Sequence, residues 1–180
     1  MSRLAIIDIG TNTFHLVIAE RSLKGLSLIV KKTVPVKLGE DSFPEGNIKP
    51  EAYNRAINAF DDFRKTLDEY KVSNITAVAT ESLRKAGDRA KFIKEIKEKF
   101  SINIVVISGE TEAELICLSV IKLLNISQRA LVMDIGGGST EFIIAGPDGM
   151  YWKNSYPLGS TILKNHFHKT DPINNDSINN

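Results

Sequence analysis

A chain of 180 residues with 42% hydrophobic content is long enough to bury a real core, as one domain or two small ones, and nothing in its composition is fibrous or disordered. Its formal net charge of +1 supplies no field that favours a nucleic acid polymer or an anionic membrane, so any polyanion must be held by a local site. A single cysteine, Cys117, excludes a disulfide framework within the chain; with no secretory h-region in "MSRLAIIDIG" and no run near the ~20 apolar residues of a membrane span, a cytoplasmic protein with Cys117 in its core is expected.

Apolar stretches over residues 4–9, 14–19 and 26–36 are short, rich in Ile and Val and separated by Gly or polar turns, which predicts three successive strands. The chain then passes through Gly, Pro and acidic residues to Pro50, a residue suited to the first turn of a helix. Tyr53, Ala56, Ile57, Phe60, Phe63, Leu67 and Tyr70 follow at three- and four-residue spacing, giving an amphipathic helix. "NITAVAT" from Asn74 reads as a strand, "DRAKFIKEIKEKF" from Asp88 as a charged helix, "INIVVIS" from Ile102 as a strand and "GETEAELICLSVIKLL" as a buried helix. At Leu131 the strand-turn-strand pattern restarts, with a third strand near "MYWKNSYPL" and a helix over 158–168. Three strands followed by alternating helix and strand predict a mixed α/β domain over 1–124 and the start of a second domain over 125–180. "KTDPINNDSINN" is turn chemistry, expected either as the lead into further elements of a truncated second domain or as a flexible tail.

The restart is close to a repetition: "LAIIDIGTNTFHLVIAE" opens at Leu4 and "LVMDIGGGSTEFIIAG" at Leu131. Gly10 in the first copy and Gly136, Gly137 and Gly138 in the second let backbone amides approach an anion with no Cβ in the way. Thr11, Asn12, Thr13, Ser139 and Thr140 add side-chain donors, so each turn is suited to phosphate. Asp8 and Asp134 end the strands just before the glycines, where a carboxylate can hold Mg²⁺ beside phosphate oxygens. One such turn is ordinary hairpin chemistry, but two in equivalent contexts point to a shared ligand. The spacing of the P-loop is absent.

With "DIGTNTFHLVIA", "VKLGE", "ATESLRKAGD", "VISGETEAELI", "DIGGGSTEF" and "YPLGSTIL" in this order, the chain resembles the exopolyphosphatase and guanosine pentaphosphate phosphohydrolase family of the actin-like ATPase fold superfamily. The resemblance implies duplicated ribonuclease H-like domains, with mixed sheets flanked by helices, whose cleft holds a phosphate chain and a divalent cation. It implies Glu112 as the base that activates water, and Asp134 and Glu141 as residues that bind metal or position water, with Asp8 facing them from the first copy. Arg84 matches an arginine that contacts phosphate. His15 matches a family histidine and is read as structural, and Lys37 stands where the family commonly has Arg. Expected substrates are polyphosphate or pppGpp, without a choice between them, and relatives of this kind are often homodimers. Two alternatives stay open: an ATPase or sugar kinase relative of the same fold, and a phosphate-chain or alarmone-binding module without turnover.

The local sequence is compatible with a base at Glu112. Ser108 or Gly109 can cap the helix, placing Glu112 in its first turn on the side of Leu115, Ile116 and Ser119, where partial desolvation would raise a carboxyl pKa.

Overall fold

The computed structural model describes residues 2–23, 25–40, 46–124, 126–168, 170 and 172. Most of the tail "KTDPINNDSINN" and part of the Gly/Pro/acidic segment before Pro50 lie outside the described residues. Contacts divide the chain into two compact units, Met1–Val106 and Ile107–Asn180.

In the first unit, β1 (Ser2–Ile9), β2 (Thr13–Ser22) and β3 (Gly25–Pro35) form an antiparallel meander. Helix α1 (Pro50–Glu69) then returns the chain to β4 (Asn74–Ala79), which pairs parallel to β1; the short α2 (Glu81–Lys85) and α3 (Arg89–Phe100) lead to β5 (Ile104–Val106), parallel to β4. The sheet order is β3-β2-β1-β4-β5, a mixed sheet of the expected class. Alternation along β1 and β2 sends Ala5, Ile7, Ile9, Phe14, Leu16 and Ile18 to one face, all fully or almost fully buried. Against them α1 sets Ala52, Ala56, Phe60, Phe63 and Leu67, the residues on its apolar stripe. Phe60 meets Phe14 edge-on at 5.8 Å between ring centroids and Phe92 of α3 at 6.2 Å, tying sheet and both helices into one core.

In the second unit, α4 (Gly109–Leu123) precedes β6 (Ala130–Ile135), β7 (Thr140–Gly146) and β8 (Gly149–Tyr156), an antiparallel meander followed by α5 (Ser160–Phe167). Ala113 and Cys117 of α4 pack with Ile143, Ala145 and Val132 of the sheet, so the cysteine is a core residue as expected. The sequence boundary at 124/125 and this division differ by one helix. Helix α4 is apolar on most sides, and its pattern alone does not tell which sheet it joins; its small buried stripe places it on β7 and β8.

The other face of this second sheet is open. Leu131, Met133 and Ile135, which correspond residue for residue to the buried Ala5, Ile7 and Ile9, are 64%, 53% and 60% exposed. Among the described residues, no helix is long and apolar enough to cross a membrane.

Candidate active site

The two glycine turns have the same construction. In the first, the Gly10 N–H donates to Thr13 O at 3.1 Å; in the second, the Gly136 N–H donates to Ser139 O at 2.9 Å. The closure leaves little room beside either glycine: a Cβ would come within 2.8 Å of Thr13 O at Gly10, and at Gly136 it would lie 3.1 Å from Ser139 O, where the turn would have to give by a few tenths of an ångström. Strand pairing then sets Asp8 opposite His15 and Asp134 opposite Glu141, so each pair shares a face of its sheet.

In the first unit, the turn is braced from β3's exit: Val36 N–H and Lys37 N–H donate to Asn12 O at 2.9 and 2.7 Å, and Gly39 N–H donates to Thr11 O at 3.1 Å. Lys37 adopts a left-handed backbone, φ 51°, to do so. Parallel pairing of Ile9 with Ala79 brings the start of α2 beside the end of β1, where Thr80 N–H donates to Ile9 O at 3.3 Å. The helix that starts there carries Arg84. Its guanidinium is held by Glu81, with Nε and Nη2 both 2.6 Å from Oε2. Glu81 is only 5% exposed, and the sequence reading passed over it. The signal was available: an acid three residues before an arginine on one helix.

The second turn is braced in the same manner by the segment after β8. Ser160 N–H donates to Gly136 O and Thr161 N–H to Gly137 O, both at 2.9 Å, while Thr140 Oγ1 donates to Leu158 O at 2.6 Å. Gly159 packs so tightly on the turn that a Cβ there would lie 2.2 Å from Gly137 C. The Leu-Gly dipeptides at 38–39 and 158–159 therefore belong to the repeat, each a brace for its own turn. Gly138, Ser139 and Thr140 are buried, and among the described residues none of the N–H groups of Gly137, Gly138 and Ser139 donates to a backbone carbonyl.

Glu141 is 1% exposed and its Oε1 accepts from Ser155 Oγ at 2.7 Å. Asp134, opposite it, is exposed. Val132 and Ile143, on the same face as these two carboxylates, pack on α4, so the helix carrying Glu112 lies on the side of the sheet where Asp134 and Glu141 point. Glu112 sits in the first turn of α4 as expected: Ser108 Oγ caps the helix by accepting from Thr111 N–H at 3.1 Å, and Glu112 N–H donates to Ser108 O at 2.9 Å. Its side chain is half-buried beside the stripe of Ala113, Ile116 and Cys117. Leu115 and Ser119, expected to screen it, are exposed. Glu114 points away, in an ion pair with Lys153.

Glu112, Asp134, Glu141 and the turn 136–140 thus belong to the second unit, and Asp8, Thr11, Asn12, Thr13 and Arg84 to the first. Among the described residues, no group of three or more His, Cys, Asp or Glu assembles as a metal site.

A mixed sheet that opens with a glycine-turn hairpin, followed by an antiparallel sheet that opens with the same hairpin, is the α/β arrangement this chain shares with solved Ppx/GppA structures. An exopolyphosphatase from Cytophaga hutchinsonii superposes with a TM-score of 0.91 at 36% identity, over 97% of this chain and 56% of that one. In sequence, a bifunctional 3-dehydroquinate synthase/phosphatase from Fusobacterium nucleatum is 35% identical over 96% of this chain and 27% of its own length. A guanosine-5'-triphosphate,3'-diphosphate pyrophosphatase from Aeromonas hydrophila is 32% identical over 91% of this chain and 33% of its own. This chain therefore spans between 27% and 56% of these relatives' lengths. The Ppx/GppA phosphatase family model matches residues 16–180, and the chain belongs to that family.

Proposed function

We propose that this chain carries the phosphate-releasing centre of a phosphohydrolase that removes the terminal phosphate of inorganic polyphosphate, the 5′-phosphate of guanosine pentaphosphate, or both. The observation that carries the reading is the repeated glycine turn, whose second copy leaves the amides of 137–139 without a backbone acceptor, those of 138 and 139 in buried residues. Relatives named exopolyphosphatase and guanosine-5'-triphosphate,3'-diphosphate pyrophosphatase support the substrate class.

In this reading the turn residues Gly136, Gly137, Gly138, Ser139 and Thr140 bind phosphate oxygens in the second unit. Gly10, Thr11, Asn12 and Thr13 do so in the first, with Arg84 adding a guanidinium oriented by Glu81. Glu112 takes the proton from the attacking water, its half-buried position favouring a base over a solvated surface acid. Asp134 and Glu141 would hold a divalent cation such as Mg²⁺. The donor set fits, since Mg²⁺ takes one or two carboxylates and completes its shell with water and phosphate oxygens rather than an all-protein cage. Such an ion neutralises charge developing on the phosphate oxygens. Glu141 also orients water through the carboxylate oxygen that Ser155 leaves available.

The test is phosphate release from long-chain polyphosphate with Mg²⁺ by this chain and its Glu112→Gln variant, with pppGpp and ATP as competing substrates. Release that falls ~10²–10⁴-fold in the variant supports the reading, and the competition identifies the preferred anhydride. Equal release by both proteins removes Glu112 from the reaction. Binding of polyphosphate without release makes this chain a binding module.

A further inference from the structure

Thr13, His15 and Thr33 make a short chain of side chains across β2 and β3. His15 Nε2 lies 3.0 Å from Thr13 Oγ1, and Nδ1 lies 3.0 Å from Thr33 Oγ1. Both placements follow from the backbone. Thr13 and His15 are two apart on one strand and so share a face, and Thr33 is the register partner of His15 on β3. No other described histidine has both ring nitrogens engaged in side-chain hydrogen bonds.

A neutral imidazole has one N–H and one lone pair in its ring plane, so these two contacts are one donation and one acceptance. The two possible assignments differ at Thr13. With the ring proton on Nδ1, Thr13 would donate its only hydroxyl proton to Nε2 and present lone pairs to whatever lies in the turn. With the proton on Nε2, Thr13 accepts from the ring and its own O–H is released to donate. Thr13 is the residue whose carbonyl closes the first glycine turn on Gly10 N–H.

We propose that His15 is a positioning residue that fixes the polarity of the Thr13 hydroxyl: Thr33 O–H donates to Nδ1, Nε2–H donates to Thr13 Oγ1, and Thr13 O–H donates to a phosphate oxygen held in the turn. The proposal rests on the phosphate reading of that turn. It also separates the two copies of the repeat. The position equivalent to His15 is Glu141, which as a carboxylate accepts from Ser155 and has no proton to turn Ser139. The directed hydroxyl belongs to the first turn alone.

The experiment has two parts on this chain. Ring ¹⁵N shifts of His15 at neutral pH report its tautomer directly, and calorimetric titration with inorganic triphosphate compares wild type, His15→Gln, His15→Asn, Thr13→Val and the His15→Asn/Thr13→Val double variant. The expected tautomer is Nε2–H. His15→Asn, with no atom at the Nε2 position, should lose about tenfold in triphosphate affinity, as should Thr13→Val, whereas His15→Gln, whose amide nitrogen reaches that position, should retain most of it. The double variant should bind no more weakly than Thr13→Val, because His15 acts only through that hydroxyl. An Nδ1–H tautomer, or a His15→Asn loss that persists undiminished on the Thr13→Val background, overturns the proposal. Should His15→Asn fail to fold, the tautomer and the Gln variant still decide. Wild-type protein that binds no triphosphate overturns the phosphate reading and this proposal together, whereas wild-type binding with indifferent variants overturns this proposal alone.

Discussion

Ser155 Oγ donates to the Oε1 of Glu141 at 2.7 Å, and Glu141 is buried to 1% exposure. The bond joins β8 to β7 at register partners, next to the second glycine turn. A hydrogen bond to an ionised, buried acceptor is worth more than a neutral one, and truncation leaves that acceptor short of a partner. Ser155→Ala should therefore cost about 1.5–3 kcal/mol in urea unfolding. Ser155→Thr, which keeps the hydroxyl, should recover most of the loss.

The brace at Gly159 gives a second expectation. A Cβ at this position meets main-chain atoms of Gly137 and Gly138 at 2.2 to 2.4 Å, and backbone cannot yield as a side chain can. Gly159→Ala should destabilise the second unit by about 1–3 kcal/mol or more and displace the turn. Gly146→Ala meets the Tyr151 ring at 2.9 Å as its closest contact, a side chain rather than backbone, so its midpoint shift should be smaller.

Arg84 and Glu81 are coupled, which bears on any test of phosphate contact. Arg84→Ala leaves a carboxylate at 5% exposure without its cation, and breaking a buried pair from one side costs about 3–5 kcal/mol. Unfolding should thus shift in Arg84→Ala far more than in Arg84→Lys, which keeps a charge for Glu81 while lacking the planar fork. If Arg84 binds phosphate, Arg84→Lys should weaken triphosphate binding with little change in the urea midpoint.

A pH dependence follows from Tyr53 and Glu95. Tyr53 Oη donates to Glu95 Oε2, and Lys99 Nζ donates to Oε1 at 2.6 Å. The Lys99 bond, then the Tyr53 bond, hold the Glu95 carboxyl below its usual range, while burial and then the Glu95 bond hold the Tyr53 hydroxyl well above the usual tyrosine range. For the depressed Glu95, the stabilising contribution is present above the ordinary carboxyl pKa and disappears as pH falls through the lowered one. For the raised Tyr53, it is complete below the ordinary tyrosine pKa of about 10 and is lost on going higher. Urea midpoints of wild type and Tyr53→Phe should differ most near neutrality and converge at both extremes. A constant difference across pH would argue against this coupling.

Much of the fold was readable because periodicity is a local signal. The stripe Ala56, Phe60, Phe63, Leu67 specified α1, and the alternation in β1 and β2 survives into the sheet unchanged. The repeat itself predicted two turns of one design, and Gly10 and Gly136 bear this out. What was not readable depends on pairing at a distance. Whether Ser155 or Asn154 would meet Glu141 is a matter of register, and β8 shifts register between Ile144 and Ala145 of its partner strand. Glu81 was missed because a five-residue helix has too short a pattern to separate inside from outside. The packing of α4 was missed for the opposite reason, an apolar pattern on too many sides.

The open face of the second sheet has a consequence for the protein as a solute. Strand β6 has β7 as its only partner among the described residues, and Leu131, Met133 and Ile135 stand out from the same strand. An edge that offers both unpaired main chain and a row of apolar side chains is a template for further chains. A formal net charge of +1 gives little repulsion to keep copies apart. Apparent stability should then depend on protein concentration, with dilute samples reporting the single chain and concentrated ones its aggregates. Raising the pH away from the sequence pI of about 7.8 should move that crossover to higher concentration.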